Sequence, residues 1–221
     1  MKNYRNDVKN SANNKLKFID IFITEIIPKV PEAKGLLEYI EQTDFFTAPT
    51  TANYNGNYVG GLVEHAILFY ERVKKIVSEE YGNDYSFLET TPETLALCAL
   101  CHNLCMANCY DSEYKNVKVR DPQGRFEDEG GRFRWEAQTY YKWNPIIPYG
   151  HGEKSVMMIQ SFLSNKLTLS ELLAIRFHSN ESITPLNNAE IDLASRNYPL
   201  VSVFRIADMQ VNLIDQKCLN S

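Results

Sequence analysis

The chain has 221 residues, of which 44% are hydrophobic and 12% aromatic, so it is long enough to bury one sizeable core. The formal net charge of -5 argues against tight non-specific binding to long nucleic acids. The polar N-terminus does not look like a signal peptide, and no stretch approaches the ~18 consecutive apolar residues of a membrane-spanning helix. Five cysteines, four of them in one short segment, do not suggest a secreted disulfide framework, so we expect a cytoplasmic protein with reduced thiols.

The first half of the chain predicts helices after a frayed start of about 14 residues. The expected helices cover residues 16–27, 32–41, 62–79 and 92–108. Thr91 and Pro92 are a favourable N-cap and first-turn pair for the last of these helices. An aromatic loop, DFFTAPTTANYNGNYVGG, separates the second helix from the third and ends in paired glycines.

The period of the sequence changes between residues 113 and 143, where polar and apolar residues alternate around two turn signals. This pattern predicts two or three short antiparallel strands inserted between helices. The helical period then returns, with expected helices at 152–165, 168–178, 188–194 and 198–216. The predicted architecture is therefore mostly α, with a helical segment at 1–43 and a domain at 44–221 that carries the β insertion.

The four histidines of the chain each fall at a constrained point of a different predicted helix. A lone buried histidine is usually a hydrogen-bonded core residue. A carboxylate within the apolar C-terminal helix, however, needs a partner or a metal. Imidazoles and a carboxylate from separate helices can converge in a bundle core on metals such as Zn, Mn, Fe or Ni. The candidates are His65, His102, His151, His178 and Asp208.

Four cysteines follow one another at spacings of three, four and four residues, at positions 98, 101, 105 and 109. On a single helix they would span about 16 Å, which is too far for one ion. We therefore expect small buried thiols and no zinc or redox site.

Five motifs resemble, in content and order, the HD-domain metal-dependent phosphohydrolases, in particular HD hydrolases of phages and bacteria. The motifs are FFTAPTT, VGGLVEHA, LCHNLCMANCY, PYGHGEKS and AIRFHSN, and the resemblance covers roughly residues 44–212. It implies an HD-like helical bundle that binds one or two divalent metal ions (Mn, Fe, Ni, Zn or Mg). It also implies attack of a metal-activated water on a phosphoester.

The resemblance also assigns roles to individual residues. His65, His102, Asn103 and Asp208 match the ligands of the first metal, and His151 and His178 match the histidines that allow a second. Asn103 takes the position of the catalytic aspartate, and Lys154 would neutralise phosphate charge. Arg176 and Arg205 are further candidates for binding the substrate phosphate, although each is also compatible with a surface cation.

The sequence departs from the family pattern at three polar positions. Asn103 replaces the aspartate of the HD pair, and its neutral amide is a poor bridge between two dications. Met106 replaces a frequent lysine, and Asn55 replaces a frequent histidine.

Three hypotheses for the function follow from these observations. One is a phosphohydrolase acting on a nucleotide, cyclic nucleotide or short oligonucleotide. The alternative is a catalytically inactive HD-like protein that binds a nucleotide or a protein partner. A protein-interaction role for the β insertion around Arg132, Phe133 and Trp135 is a third possibility.

Overall fold

The computed structural model describes residues 4–52, 56–145, 147–179 and 185–219. Its helices are α1 (Tyr4–Ile21), α2 (Ala33–Gln42), α3 (Gly61–Tyr81), α4 (Pro92–Cys101), α5 (His151–Leu163), α6 (Leu169–Phe177), α7 (Pro185–Asn197) and α8 (Pro199–Leu219). A three-stranded antiparallel sheet lies between α4 and α5, so the predicted mostly-α fold with a small β insertion is confirmed.

The N-terminal helix is longer than its apolar stripe predicts. It begins at Tyr4, so the expectation of a frayed start is wrong from that residue on, and a π-helical turn, Phe22–Ile26, follows its end at Ile21. Phe18 packs against Phe45 and Phe46 with ring centroids 5.2 and 5.4 Å apart, so this helix shares the core of the rest of the chain. A domain boundary at residue 43 stays a prediction.

The centre of the bundle is formed by α3, which packs against α1, α4 and α8, while α6 packs against α8 and α5. The predicted start of α4 is confirmed, because the Thr91 hydroxyl accepts a hydrogen bond from the Thr94 amide in a capping box. Its predicted end at residue 108 is wrong. The helix stops at Cys101, and a single 3-10 turn, Leu104–Met106, follows.

The sheet consists of β1 (Tyr110–Arg120), β2 (Phe126–Asp128) and β3 (Gly131–Trp143), in the order β1-β3-β2. Its register pairs Tyr110 with Trp143 at the end nearest the helices. Most side chains of the sheet are exposed or half-buried, and Phe133 is its one buried residue. The sheet therefore lies outside the helical core.

None of the helices in the described ranges is long and apolar enough to cross a membrane.

Candidate metal centre

All six residues that the sequence nominates as metal ligands lie together in the structure. A cavity of about 510 Å³ is lined by His65, Asn103, His151, His178 and Asp208. His102 lies directly behind this wall, with its side chain fully buried and its ring centroid 5.3 Å from that of His65 and 4.8 Å from that of His178. We call this space the histidine cavity.

Two of these histidines are held in the same way at the ends of their helices. The Nδ1 of His102 lies 2.7 Å from the carbonyl oxygen of Ala99, and the Nδ1 of His178 lies 2.7 Å from that of Ile175. A carbonyl oxygen only accepts, so each Nδ1 carries a hydrogen and donates it. In the neutral ring the Nε2 lone pair is then left to face inward, as in a metal-ligating histidine.

Burial keeps both rings neutral. Desolvation lowers the pKa of His102 well below its ordinary value, and the neighbouring histidines lower it further. The pKa of His178 is likewise lowered by desolvation first and then by His151. Both side chains are therefore in the protonation state that metal coordination requires.

Three of the six residues form a group that can hold a metal ion. The candidate ligand atoms of His65, His102 and Asp208 all lie within 4.8 Å of one another. The Nε2 atoms of the two histidines are 3.3 Å apart, and Asp208 Oδ1 is 3.9 Å from His65 Nε2. Two nitrogens bound to one tetrahedral zinc are about 3.4 Å apart, so this donor set fits a first-row divalent ion after small adjustments.

The other three residues, Asn103, His151 and His178, form a second polar group next to the first. Asn103 Oδ1 lies 2.6 Å from His151 Nε2 and 3.0 Å from His178 Nε2. Because Nδ1 of His178 donates to a carbonyl, its Nε2 has no hydrogen for Oδ1 in the neutral ring. A cation between these acceptors, or an amide turned so that its NH2 donates to both rings, satisfies the arrangement.

A glycine sets the approach of the two helices that carry His151 and His178. A Cβ at Gly152 would collide with the backbone carbonyl of Arg176, so α5 can come this close to α6 only without a side chain there. The ring centroids of His151 and His178 consequently lie 5.1 Å apart. Gly152 therefore helps to build the site.

The three cations nominated as phosphate contacts lie outside the histidine cavity. Lys154 is buried, and its ammonium donates to the carbonyl oxygen of Cys105 at 2.8 Å and to the sulfur of Cys109 at 3.1 Å. Arg176 bonds Glu153 and Glu190 on the surface. Arg205 donates to the carbonyl oxygen of Phe177 at 3.0 Å. The roles of these cations in substrate binding stay predictions.

The four cysteines at positions 98, 101, 105 and 109 are free, buried thiols, as expected. They do not share one helix, since Cys105 and Cys109 follow the end of α4. Burial raises the pKa of Cys98 and of Cys101, so both stay protonated and unreactive. Cys105 is closer to the site than the sequence suggests, with its sulfur 3.2 Å from Nδ1 of His151.

The sequence pattern does not single out several residues that line the histidine cavity. Asn212 donates to Asp208 Oδ2 at 3.1 Å and so orients the carboxylate. The spacing of four residues on α8 is a signal for this contact, whereas Thr50 and Ser179 carry no comparable one. Met106 also lines the cavity, and Asn55 lies outside the described residues.

Comparison of the chain with protein-family models, with curated proteins and with solved structures gives no match.

Proposed function

We propose that the protein is a metal-dependent phosphohydrolase with an HD-like helical bundle, and that its site binds one divalent ion. The observation that carries this proposal is the convergence of His65, His102 and Asp208 from three helices on one point of a buried cavity. The carboxylate of Asp208 is 13% exposed and lies beside two buried imidazoles, and three such donors facing one point suit a divalent cation. A bound ion would acidify a water molecule and neutralise phosphate charge.

The chain's own residues position the ligands and the substrate. The carbonyl oxygens of Ala99 and Ile175 fix the rings of His102 and His178, and Asn212 orients Asp208. His151 and Asn103 also line the cavity, where the amide NH2 of Asn103 can donate a hydrogen bond to a phosphate oxygen while its Oδ1 faces His151 and His178. This role gives Asn103 a use that does not require it to bridge two metals.

Turnover of a simple phosphoester tests this function. The full chain with Mn2+ should hydrolyse 4-nitrophenyl phosphate or bis(4-nitrophenyl) phosphate. We expect activity to disappear with chelator and to fall at least about 100-fold in Asp208→Asn. Asp192, an exposed residue of α7 paired with Arg196, provides a matched control, and Asp192→Asn should retain full activity. Equal rates in the two variants would contradict the proposal.

A second candidate function is binding without hydrolysis, and one observation favours it. Asn103 supplies a neutral oxygen where the resemblance implies a carboxylate, and this oxygen is already engaged with His151 and His178. Under this alternative, Mn2+ and a phosphorylated ligand bind saturably in calorimetry but no product forms. Product formation by the wild-type chain that is lost with Asp208 would rule it out.

A further inference from the structure

A second cavity, of about 470 Å³, opens beside the histidine cavity. The two share Thr50, Met106 and His151 in their walls, so a ligand in one is adjacent to the other. The outer wall of the second cavity is built by the base of the sheet and by the segment that leads into α5. We call this space the aromatic cavity, because Tyr110, Trp143 and Tyr149 line it.

Two aromatic rings of this cavity, those of Tyr110 and Trp143, are held in place, and the rings of Trp143 and Tyr149 are open to solvent. Tyr110 and Trp143 are partners across the strands, with ring centroids 5.2 Å apart in an edge-to-face arrangement. The hydroxyl of Tyr110 donates to the carbonyl oxygen of Thr50 at 3.1 Å. Trp143 is 47% exposed and Tyr149 is 61% exposed, although both line a concave space. Fixed and solvated ring faces are what a stacking ligand requires.

The aromatic cavity also contains a buried cation. Lys154 lines it, is only 6% exposed, and donates to one carbonyl oxygen and one thiol. Its ammonium contacts no carboxylate anywhere in the part of the chain that the structure describes. An ammonium has three N–H donors, and Lys154 directs two of them at neutral acceptors. Its positive charge and third donor are complementary to an anionic ligand.

We infer that the two cavities take one nucleoside phosphate, whose base stacks on Trp143 and Tyr149 while Lys154 neutralises its phosphate charge. This inference rests on the proposed function for the orientation of the ligand, because the phosphoryl group must point toward His65, His102 and Asp208. It also gives the β insertion a role, since the insertion supplies two of the three rings. Stacking tolerates any base, so we expect selection for nucleotides over sugar phosphates.

The chain has two tryptophans, which permits a direct optical test. Trp135→Phe leaves Trp143 as the only tryptophan, and Trp143→Phe leaves Trp135, which is 52% exposed, lies on the same strand and does not line the cavity. Fluorescence excited at about 295 nm is titrated with AMP, GMP, CMP and UMP, and with ribose 5-phosphate, on the full chain with Mn2+. The nucleotides should quench the Trp135→Phe protein saturably, ribose 5-phosphate should not, and the Trp143→Phe protein should respond to neither.

Calorimetry supplies a second readout. Trp143→Ala should weaken AMP binding about tenfold or more, and Lys154→Met should weaken AMP and ribose 5-phosphate alike, whereas Trp135→Ala should change neither. Equal affinity of the wild-type chain for AMP and ribose 5-phosphate, or no quenching of Trp143 by any nucleotide, would overturn the inference. Phosphoester hydrolysis that persists in that case would leave the proposed function intact. Quenching of Trp143 without metal binding or hydrolysis would support the base subsite and defeat the proposed function.

Discussion

Asn103 Oδ1 lies 3.0 Å from Nε2 of His178, an atom left without a hydrogen because the ring donates through Nδ1 to Ile175. Two acceptors at this distance repel unless a cation or an amide hydrogen lies between them. The same oxygen is 2.6 Å from Nε2 of His151, so the orientation of the amide depends on whether a cation occupies the site. The identity of residue 103 should therefore control metal affinity more strongly than any other single position in this half of the cavity.

Asn103→Asp should strengthen metal binding, because it adds a charge and a second acceptor oxygen next to His151 and His178. A tenfold gain in affinity corresponds to about 1.4 kcal/mol of stabilisation at saturating ligand. In a domain of this size it should add about 3–5 °C to the melting shift that Mn2+ produces in scanning fluorimetry. Asn197→Asp, at the exposed end of α7, is the matched control. An identical shift in all three proteins would contradict this role for Asn103.

Gly152→Ala should destabilise the protein by about 1–3 kcal/mol, because the added methyl group meets the backbone of Arg176 rather than a movable side chain. The measurement is the free energy of unfolding in urea. Gly35→Ala, within α2, is the control, because its Cβ would make an ordinary 3.6 Å contact with Phe162. It should be neutral or stabilising by up to about 1 kcal/mol. Equal effects of the two substitutions would mean that α5 and α6 do not need their close approach.

The metal-free protein should lose stability as the pH falls below about 6.5. In the folded state the pKa values of His102 and His178 are well below 6.5, so the unfolded chain binds more protons in this window and unfolding is favoured by acid. The loss should be about 1.4 kcal/mol per histidine for each pH unit between 6.5 and the lowered pKa. Urea unfolding in chelator at pH 7.5 and at pH 5.5 measures it. Constant or rising stability toward acid would show that the two rings are not buried neutral groups.

Cys98 and Cys101 should resist alkylation in the folded protein. Both thiols are fully buried, and burial raises their pKa, so almost no thiolate is present to react. Iodoacetamide treatment followed by peptide mass spectrometry should find both unmodified in native buffer and modified in urea, with rates that differ by at least about 100-fold. Rapid labelling of either cysteine in native buffer would contradict the helix packing around α4.

The sequence alone identifies the residues of the candidate site better than the ends of the helices that carry them. Histidines are rare in this chain and each lies in a distinctive motif, so their convergence can be anticipated. The end of α4 cannot be anticipated, because apolar residues lie on every side of the helix and the sequence pattern does not change at Cys101. The helix ends where the His102 side chain bonds its own Ala99 carbonyl, a contact that only the folded backbone shows.

The burial of a charged residue is equally difficult to predict from the sequence. Nothing in GHGEKS indicates that Lys154 is buried, yet its ammonium lies against the turn after α4 and donates to the Cys105 carbonyl and the Cys109 sulfur. The aromatic cavity depends on pairing Tyr110 in β1 with Trp143 in β3, which are distant in the sequence. Such long-range registers are set by the whole sheet, so local pattern predicts the strands but not the pocket at their base.

Metal content per chain tests the central claim most directly. The wild-type chain, equilibrated with Mn2+ or Zn2+ and desalted, should carry about one equivalent by elemental mass spectrometry. Asp208→Asn should lose that metal because it removes the carboxylate beside His65 and His102, while Asp192→Asn should keep it. A wild-type chain without metal, or the same metal content in Asp208→Asn, would contradict the assignment of His65, His102 and Asp208 as a metal centre.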